Sequence, residues 1–468
     1  MKSLRFLIWI YFWLLIFEGA LRKWVFPDYA NILLLVRDPV VIAIYLRAIF
    51  LGVFPRNRWV WALVVMGGIF ALLGWVQLVA GESLADLGIL AHLKAQVVIY
   101  GWRTYFLHLP LIFLMPAVLR DRATVSFVRA LAILAIPMTL LVVAQYFETG
   151  DAWINSATKG GEQLAFVGDK IRAPGTFSFN TGPACFFALL AACGVSILFR
   201  NPPMPRWSGW MMISCAVIYA PLGGGRLNSG MVFIVLVVGT LLSLFTMGMG
   251  QLRILLATAA LVLVVIYTPI FQDGLNSMNL RLASAAEYEN AEYHYGFASR
   301  LFGGFAAPTS TLMAGEPLFL GRGIGLGTIG GAKLQTGQAQ FLVSEGEWGR
   351  ILLECGWLWG MLYLVWRVGL VIWLGILSLQ AFQRGNTLGM LLWSANIWTF
   401  LQGQWGQPTN QGFAVLIAGL TLAACREGTP TEPSAPSSGH RPISGFRGRQ
   451  GRSPMPLQAS RGLVVGND

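Results

Sequence analysis

Residues 321–379 read GRGIGLGTIGGAKLQTGQAQFLVSEGEWGRILLECGWLWGMLYLVWRVGLVIWLGILSL, a glycine-rich polar loop that runs straight into a long apolar segment. About 20 apolar residues in helical form cross the roughly 30 Å of hydrocarbon in a bilayer, and residues 350–379 are enough to do so. Glu345, Glu347, Arg350 and Glu354 stand at the entrance of that segment. Charges at the rim of a lipid-embedded helix are costly unless paired or used, and closely spaced glycines let backbone approach a ligand. The pattern reads as a reaction site at a membrane surface.

The rest of the chain has the composition this reading needs. Of 468 residues, 56% are hydrophobic and 12% charged, with 18 Trp and a mean hydropathy of +0.63, which excludes an ordinary soluble protein. Apolar runs of crossing length lie near residues 6–21, 37–54, 59–80, 104–119, 125–147, 184–200, 207–223, 228–248, 252–272, 350–379, 387–402 and 411–425. Irregular backbone cannot face lipid, and the alternation of a barrel is absent, so these runs are expected to be helices. The expected fold is all-α, a polytopic membrane domain over residues 1–425 with about 12 transmembrane helices.

Basic residues orient it. With a cytoplasmic amino terminus, the inner segments hold 18 basic residues against four acidic ones, and all other segments hold 15 against 17. That is the positive-inside pattern, with both termini in the cytoplasm. The net charge of +12 is then a topological signature. It does not indicate nucleic-acid binding, because the basic residues are not gathered with aromatics on one polar surface. The first run lacks a small-residue cleavage site, which predicts a retained anchor.

Cys185, Cys193, Cys215, Cys355 and Cys425 fall in or beside apolar runs without metal-like spacing, and His92, His108, His294 and His440 are dispersed. Neither set predicts a metal site. Outer loops are expected at residues 149–183 and, between the ninth and tenth spans, at 273–349; long loops are usually functional. Within the second, residues 281–300 have the composition of a surface helix framed by Arg281 and Arg300. From residue 426 the chain turns to Pro, Ser, Gly and Arg, a disordered basic tail by composition. Glu18 and Arg22 are spaced for an ion pair, and Asp38 beside Arg37 reads likewise; lining a substrate groove is the weaker alternative for both.

Several segments, in order, resemble the O-antigen ligase and O-antigen polymerase superfamily. They are FEGALRKWVFP at 17–27, which is similar to a subgroup of uncharacterised members; Arg172-Ala-Pro-Gly-Thr-Phe running to Asn180; Gly223-Gly224-Gly225-Arg226; and the Gly-x-Gly loop followed by Leu352, Glu354, Gly356 and Gly360. The likeness covers most of the chain and is strongest over 300–365. It implies a metal-independent glycosyltransferase without a cofactor, which takes a glycan from an undecaprenyl-type diphosphate carrier at the outer face of a bacterial plasma membrane. The acceptor is a sugar or a lipid-linked sugar, and other polysaccharide assembly proteins are potential partners.

Loss of a diphosphate from an anomeric carbon develops charge that preorganised cations stabilise, and the arginine fork suits phosphate best. The resemblance places Arg226 and Arg300 at the family's functional arginine positions, the alternative for Arg226 being a residue that merely ends an outer turn; Arg281 and Arg322 compete with Arg300, and Arg172 reads first as an ordinary loop cation, with a glycan or phosphate contact as the alternative. Ligase-type members carry a histidine nine residues before the Glu of Leu-x-Glu-x-Gly, and here that position is Glu345. Glu347, Arg350 and Glu354 are spaced i, i+3 and i+7, one charge-paired stripe. Glu347 and Arg350 are therefore candidate substrate-side residues acting as scaffold with Glu354. Pairing with arginine weakens a carboxylate as a base, so Glu345, off the stripe, is the candidate base; the alternative is a solvated loop carboxylate. A nucleotide loop at Gly321–Gly331 is disfavoured because no strand precedes it. Rival functions are a lipid-linked glycan flippase and a non-catalytic scaffold of an export complex, although no internal repeat of the transporter kind is present.

Overall fold

The apolar runs fold as helices, because backbone in lipid has to satisfy its hydrogen bonds within its own segment. The computed structural model describes residues 1–79, 92–119, 122–158, 166–167, 170–223, 226–245, 296–315 and 319–426; at 122, 166–167, 170, 226–228 and 296–302 it describes backbone alone. The helices are α1 (Lys2–Ala20), α2 (Ala30–Leu33), α3 (Arg37–Phe50), α4 (Arg58–Val79), α5 (Ala95–Phe106), α6 (Leu111–Val118), α7 (Arg122–Phe147), α8 (Thr181–Leu198), α9 (Arg206–Leu222), α10 (Arg226–Phe245), α11 (Gly296–Met313), α12 (Ile329–Thr336), α13 (Glu347–Cys355), α14 (Trp357–Gln383), α15 (Leu388–Leu401) and α16 (Pro408–Arg426). A hairpin of two-residue strands pairs Phe166 with Ile171. The chain divides into two units, Met1–Gly428 and Thr429–Asp468; Arg281, the run at 252–272 and the tail after Arg426 lie outside the described residues.

Six described segments are long and apolar enough to cross a membrane: Lys2–Val25, Arg58–Val79, Ala123–Phe147, Thr181–Leu198, Trp357–Gln383 and Pro408–Arg426. The pair α5 and α6, bent by 43°, makes a seventh if taken as one span. The described residues are thus helical apart from the hairpin and the connecting turns, consistent with a helical membrane protein, and they hold fewer crossing-length helices than the twelve expected. Helix length is the reason. The run at 37–54 gives a helix of 14 residues and that at 207–223 one of 17, while those at 228–248 and 387–402 give shorter apolar helices, Ser229–Phe245 and Leu388–Leu401.

α8 is buried from Gly182 to Leu198 and α16 from Asn410 to Cys425. α16 packs on α6, α14, α15 and α8, and α8 on α9, α10 and α15. Around this centre the helices are apolar on both sides: α4 buries Leu63, Met66 and Phe70 and exposes Trp61, Val64, Val65, Leu72 and Trp75. A helix apolar all round, with its outer face uncovered by protein, is built for lipid.

The expected single run at 350–379 is two helices. Gly356, at φ +81°, ends α13 and starts α14, a left-handed conformation that a side chain disfavours. The glycine-rich loop then caps the end it creates: Arg322 and Gly323 donate their backbone N–H groups to the carbonyls of Leu353 (2.7 Å) and Glu354 (3.3 Å). Gln77 of α4 fastens this junction, donating to the carbonyls of Leu320 and Glu354 and accepting from the Ile324 N–H at 2.9 Å. Helix-end carbonyls without a partner in the helix are thereby satisfied from the loop. The loop is a packed structural element at this junction.

Candidate functional site

α13 carries its charges on one face. Arg350 donates to Glu347 through Nε (2.9 Å) and Nη2 (3.0 Å) and to Glu354 through Nη1 (3.0 Å). Three partners from elsewhere complete the network. The Tyr105 hydroxyl of α5 donates to Glu354 at 2.7 Å and receives Arg350 Nη1 at 3.1 Å. Arg367 of α14 donates to Glu347 at 2.7 Å, to the Gly403 carbonyl at 2.9 Å and to the Phe400 carbonyl, with its guanidinium 3.7 Å from the Trp405 ring centroid. The Gly327 N–H donates to Glu354 at 2.7 Å.

Glu347, Arg350, Glu354 and Arg367 are all buried, Glu354 and Arg367 completely. Burial alone would raise the Glu347 carboxyl, but Arg350 and Arg367 more than offset it and hold it below the usual carboxylate range. The stripe legible in the sequence is therefore a closed scaffold, its polar atoms engaged within the protein. Gly327 is part of the closure: a Cβ there would collide with Arg350 Cγ and lie 2.9 Å from Glu354 Oε1. Gly327→Ala is expected to destabilise the fold by about 1–3 kcal/mol through overpacking. A lowered thermal-unfolding midpoint of the purified variant is the check, and an unchanged one contradicts it.

Glu345 lies outside this network. It is exposed, two residues before α13, and its backbone carbonyl accepts from Gln404 Nε2 at 2.7 Å. Gln404 belongs to the turn at 402–407, GQ-rich in sequence, where Gln407 Nε2 donates to Gln404 Oε1 at 3.0 Å and Thr181, at the start of α8, donates to Gln407 at 3.2 Å. Two helices that carry sequence candidates lie near this turn: Gly304 of α11 lies against the Gln402 side chain, and α10 packs on α15, the helix that leads into the turn. α11, which bears Arg300, packs on α13, with Phe305 edge-on to Trp348 at 4.7 Å and the Pro308 carbonyl accepting from Trp357. α10, which begins at Arg226, packs on α15, where Thr399 donates to Met231 Sδ at 3.9 Å. The segment Arg172–Asn180 leads directly into α8.

Arg226 thus stands on a helix that packs on α15, and Arg300 on one that packs on α13 and the turn, their side chains outside what is described. Arg172 is half-buried, and its Nε has no hydrogen-bond partner. Arg322 is half-buried at the foot of α13, its backbone engaged in the cap.

Sequence reading missed Gln402, Gln404 and Gln407. The available signal was a run of three glutamines and two glycines between two apolar runs. It also missed Tyr105 and Arg367; for Arg367 the signal was a charge inside an apolar span, which by itself predicts a buried partner.

One pairing is corrected. Asp38 does not pair with its neighbour Arg37: it accepts from Arg103 Nε (2.6 Å) and Nη2 (2.7 Å) and contacts His108 at 3.0 Å, while Arg37 donates to Glu18 at 3.0 Å. Adjacent residues on a helix point about 100° apart, so they do not face each other. Glu18 and Arg22 do pair, at 3.5 Å. The five cysteines are free and buried, as packing residues are.

No family model matches this sequence, and no curated protein does.

Proposed function

We propose that the chain is a membrane glycosyltransferase of the O-antigen ligase and polymerase kind. It joins or polymerises a surface polysaccharide from an undecaprenyl-type diphosphate donor, at the outer face of a bacterial plasma membrane. What supports this reading is that the exposed carboxylate Glu345 is held by a turn against which the helix bearing Arg300 packs at Gly304, while the helix bearing Arg226 packs on α15, which leads into that turn. The motif order along the chain supports it independently.

In the reaction, the acceptor hydroxyl oxygen forms a bond to the anomeric carbon while the bond from that carbon to the diphosphate oxygen breaks. The hydroxyl proton passes to the Glu345 carboxylate. The electron pair leaves with the diphosphate, whose charge Arg226 and Arg300 meet. The Glu347–Arg350–Glu354–Arg367 network holds the start of α13, and with it Glu345, in place. Glu345 stands where ligase-type relatives carry histidine, so in this chain a carboxylate is the base.

Purified protein in nanodiscs, given a polyprenyl-diphosphate-linked oligosaccharide and an acceptor, should extend or transfer the glycan and release polyprenyl diphosphate. Failure with every donor and acceptor class tried would sink the reading. Arg226→Ala is expected to lower transfer by about 10²–10³, with surface glycan lost and the amount of folded protein unchanged. In a deletion strain, lipid-linked intermediates should collect in the outer leaflet. Collection in the inner leaflet would mark a flippase.

A further inference from the structure

A second polar cluster lies where α1, α3, the α5–α6 bend and α16 meet, and it uses none of the residues assigned to transfer. Arg22, Arg37 and Arg103 are buried there against two carboxylates, Glu18 and Asp38. Arginine does not give up its proton in a protein, so one cation has no counter-charge within the cluster, and Lys23, also buried, is next to it in sequence.

The hydrogen bonds repeat this imbalance. Arg37 is fully buried and donates to Glu18 through Nε; its Nη1 and Nη2 have no acceptor in hydrogen-bond geometry, although Tyr11, whose ring centroid lies 5.8 Å from the guanidinium, interacts with it. Arg103 binds Asp38 through two nitrogens and leaves Nη1 buried without a partner. The Arg37 guanidinium lies 5.8 Å from the Tyr11 ring, and Tyr11, His108, Asp38 and Arg103 are linked in turn by hydrogen bonds, so the two guanidinium groups share one neighbourhood. His108 is turned between Asp38 and the Tyr11 hydroxyl, at 3.0 and 3.2 Å. Gly412 of α16 leaves the room that the Arg37 head occupies, since a Cβ there would collide with Nη1. The cluster reaches the surface at Asp38, whose side chain is 14% exposed.

Buried, charged donors without acceptors are costly and call for an anion. Three unbonded nitrogens on two guanidinium groups, each with two N–H donors, ask for several oxygens on one centre, which a phosphate supplies and a halide does not. We propose that this junction binds a phosphate group through Arg37 and Arg103, carried either by a lipid diphosphate or by a free phosphate compound. The inference does not depend on glycosyl transfer, and a binding measurement tests it whether or not the chain transfers sugar.

The full chain in nanodiscs is titrated with inorganic pyrophosphate and, separately, loaded with farnesyl diphosphate, against sodium chloride at matched ionic strength. At least one diphosphate should raise the unfolding midpoint saturably. Farnesyl diphosphate alone doing so marks a lipid-borne ligand, and pyrophosphate alone marks a free one. Arg37→Lys and Arg103→Lys keep the charge but remove the fork, and each should weaken binding about tenfold or more. A map of the wild-type protein with the stabilising diphosphate needs no variant, and it should show density on both guanidinium groups. The proposal is overturned by absence of any shift, by an equal shift with chloride, by binding unchanged in both lysine variants, or by density of water size or placed elsewhere.

Discussion

Glu347→Ala should be the most destabilising single substitution at α13, costing about 3–5 kcal/mol, the range for removing one partner of a buried ion pair. The reason is that one carboxylate serves two cations. Oε1 accepts from Arg350 and from Arg367, and Oε2 from Arg350. Alanine would leave both guanidinium groups in the interior without that acceptor, and Glu354 would compensate only Arg350. Glu347→Gln keeps an acceptor oxygen and should cost less than alanine does. The measurement is the thermal midpoint and the monodisperse yield in detergent. If alanine unfolds no more easily than glutamine, the pair contributes nothing to stability. Acid should act in the same direction. Because the folded protein holds the Glu347 carboxyl below its ordinary range, the unfolded state binds the proton more readily. Stability from this group is therefore complete above the unfolded value, and it is lost as pH falls through the folded one.

The helices were legible in the sequence because hydropathy reports burial in lipid directly; each apolar run in the described residues contains a helix. Where they end was less legible. The run at 350–379 divides at Gly356, and that at 104–119 bends between Phe106 and Leu111, since backbone conformation leaves no mark on an average over apolar side chains. The same contrast holds at the sites. Glu347, Arg350 and Glu354 were readable as a stripe because helical spacing is local. Arg367 reaching Glu347 across the break, Tyr105 reaching Glu354 from α5, and Arg103 taking Asp38 from its neighbour Arg37 depend on tertiary packing, which no local period encodes. The turn at 402–407 escaped for a related reason: glutamines have no distinctive spacing, and their role appears only when Glu345 and Thr181 arrive from distant parts of the chain.

Glu345→Gln should lower glycan transfer by about 10²–10⁴, the usual contribution of a positioned general base, while leaving the fold intact. The two halves of that expectation come from one observation. The Glu345 side chain is exposed, and what binds it to the protein is its backbone carbonyl, held by Gln404; a change of side chain alone leaves that anchor in place. Glutamine is close to isosteric and cannot accept the acceptor's proton, so the loss should fall on turnover and not on the unfolding midpoint. Glu345→His supplies the base that ligase-type members of the O-antigen superfamily carry at the position this residue resembles, and it should retain part of the rate that Glu345→Gln loses, which a merely solvated carboxylate would have no reason to show. Gln404→Ala releases the carbonyl and should lower turnover by a smaller factor, because the carboxylate remains but is no longer positioned. Wild-type turnover in Glu345→Gln would remove the base from the mechanism. If Arg226→Ala still abolished transfer, the diphosphate half of the mechanism would survive, and the proton would have to leave by another route. Were both variants fully active, the packing around the turn would be architecture, and the scaffold reading would take precedence.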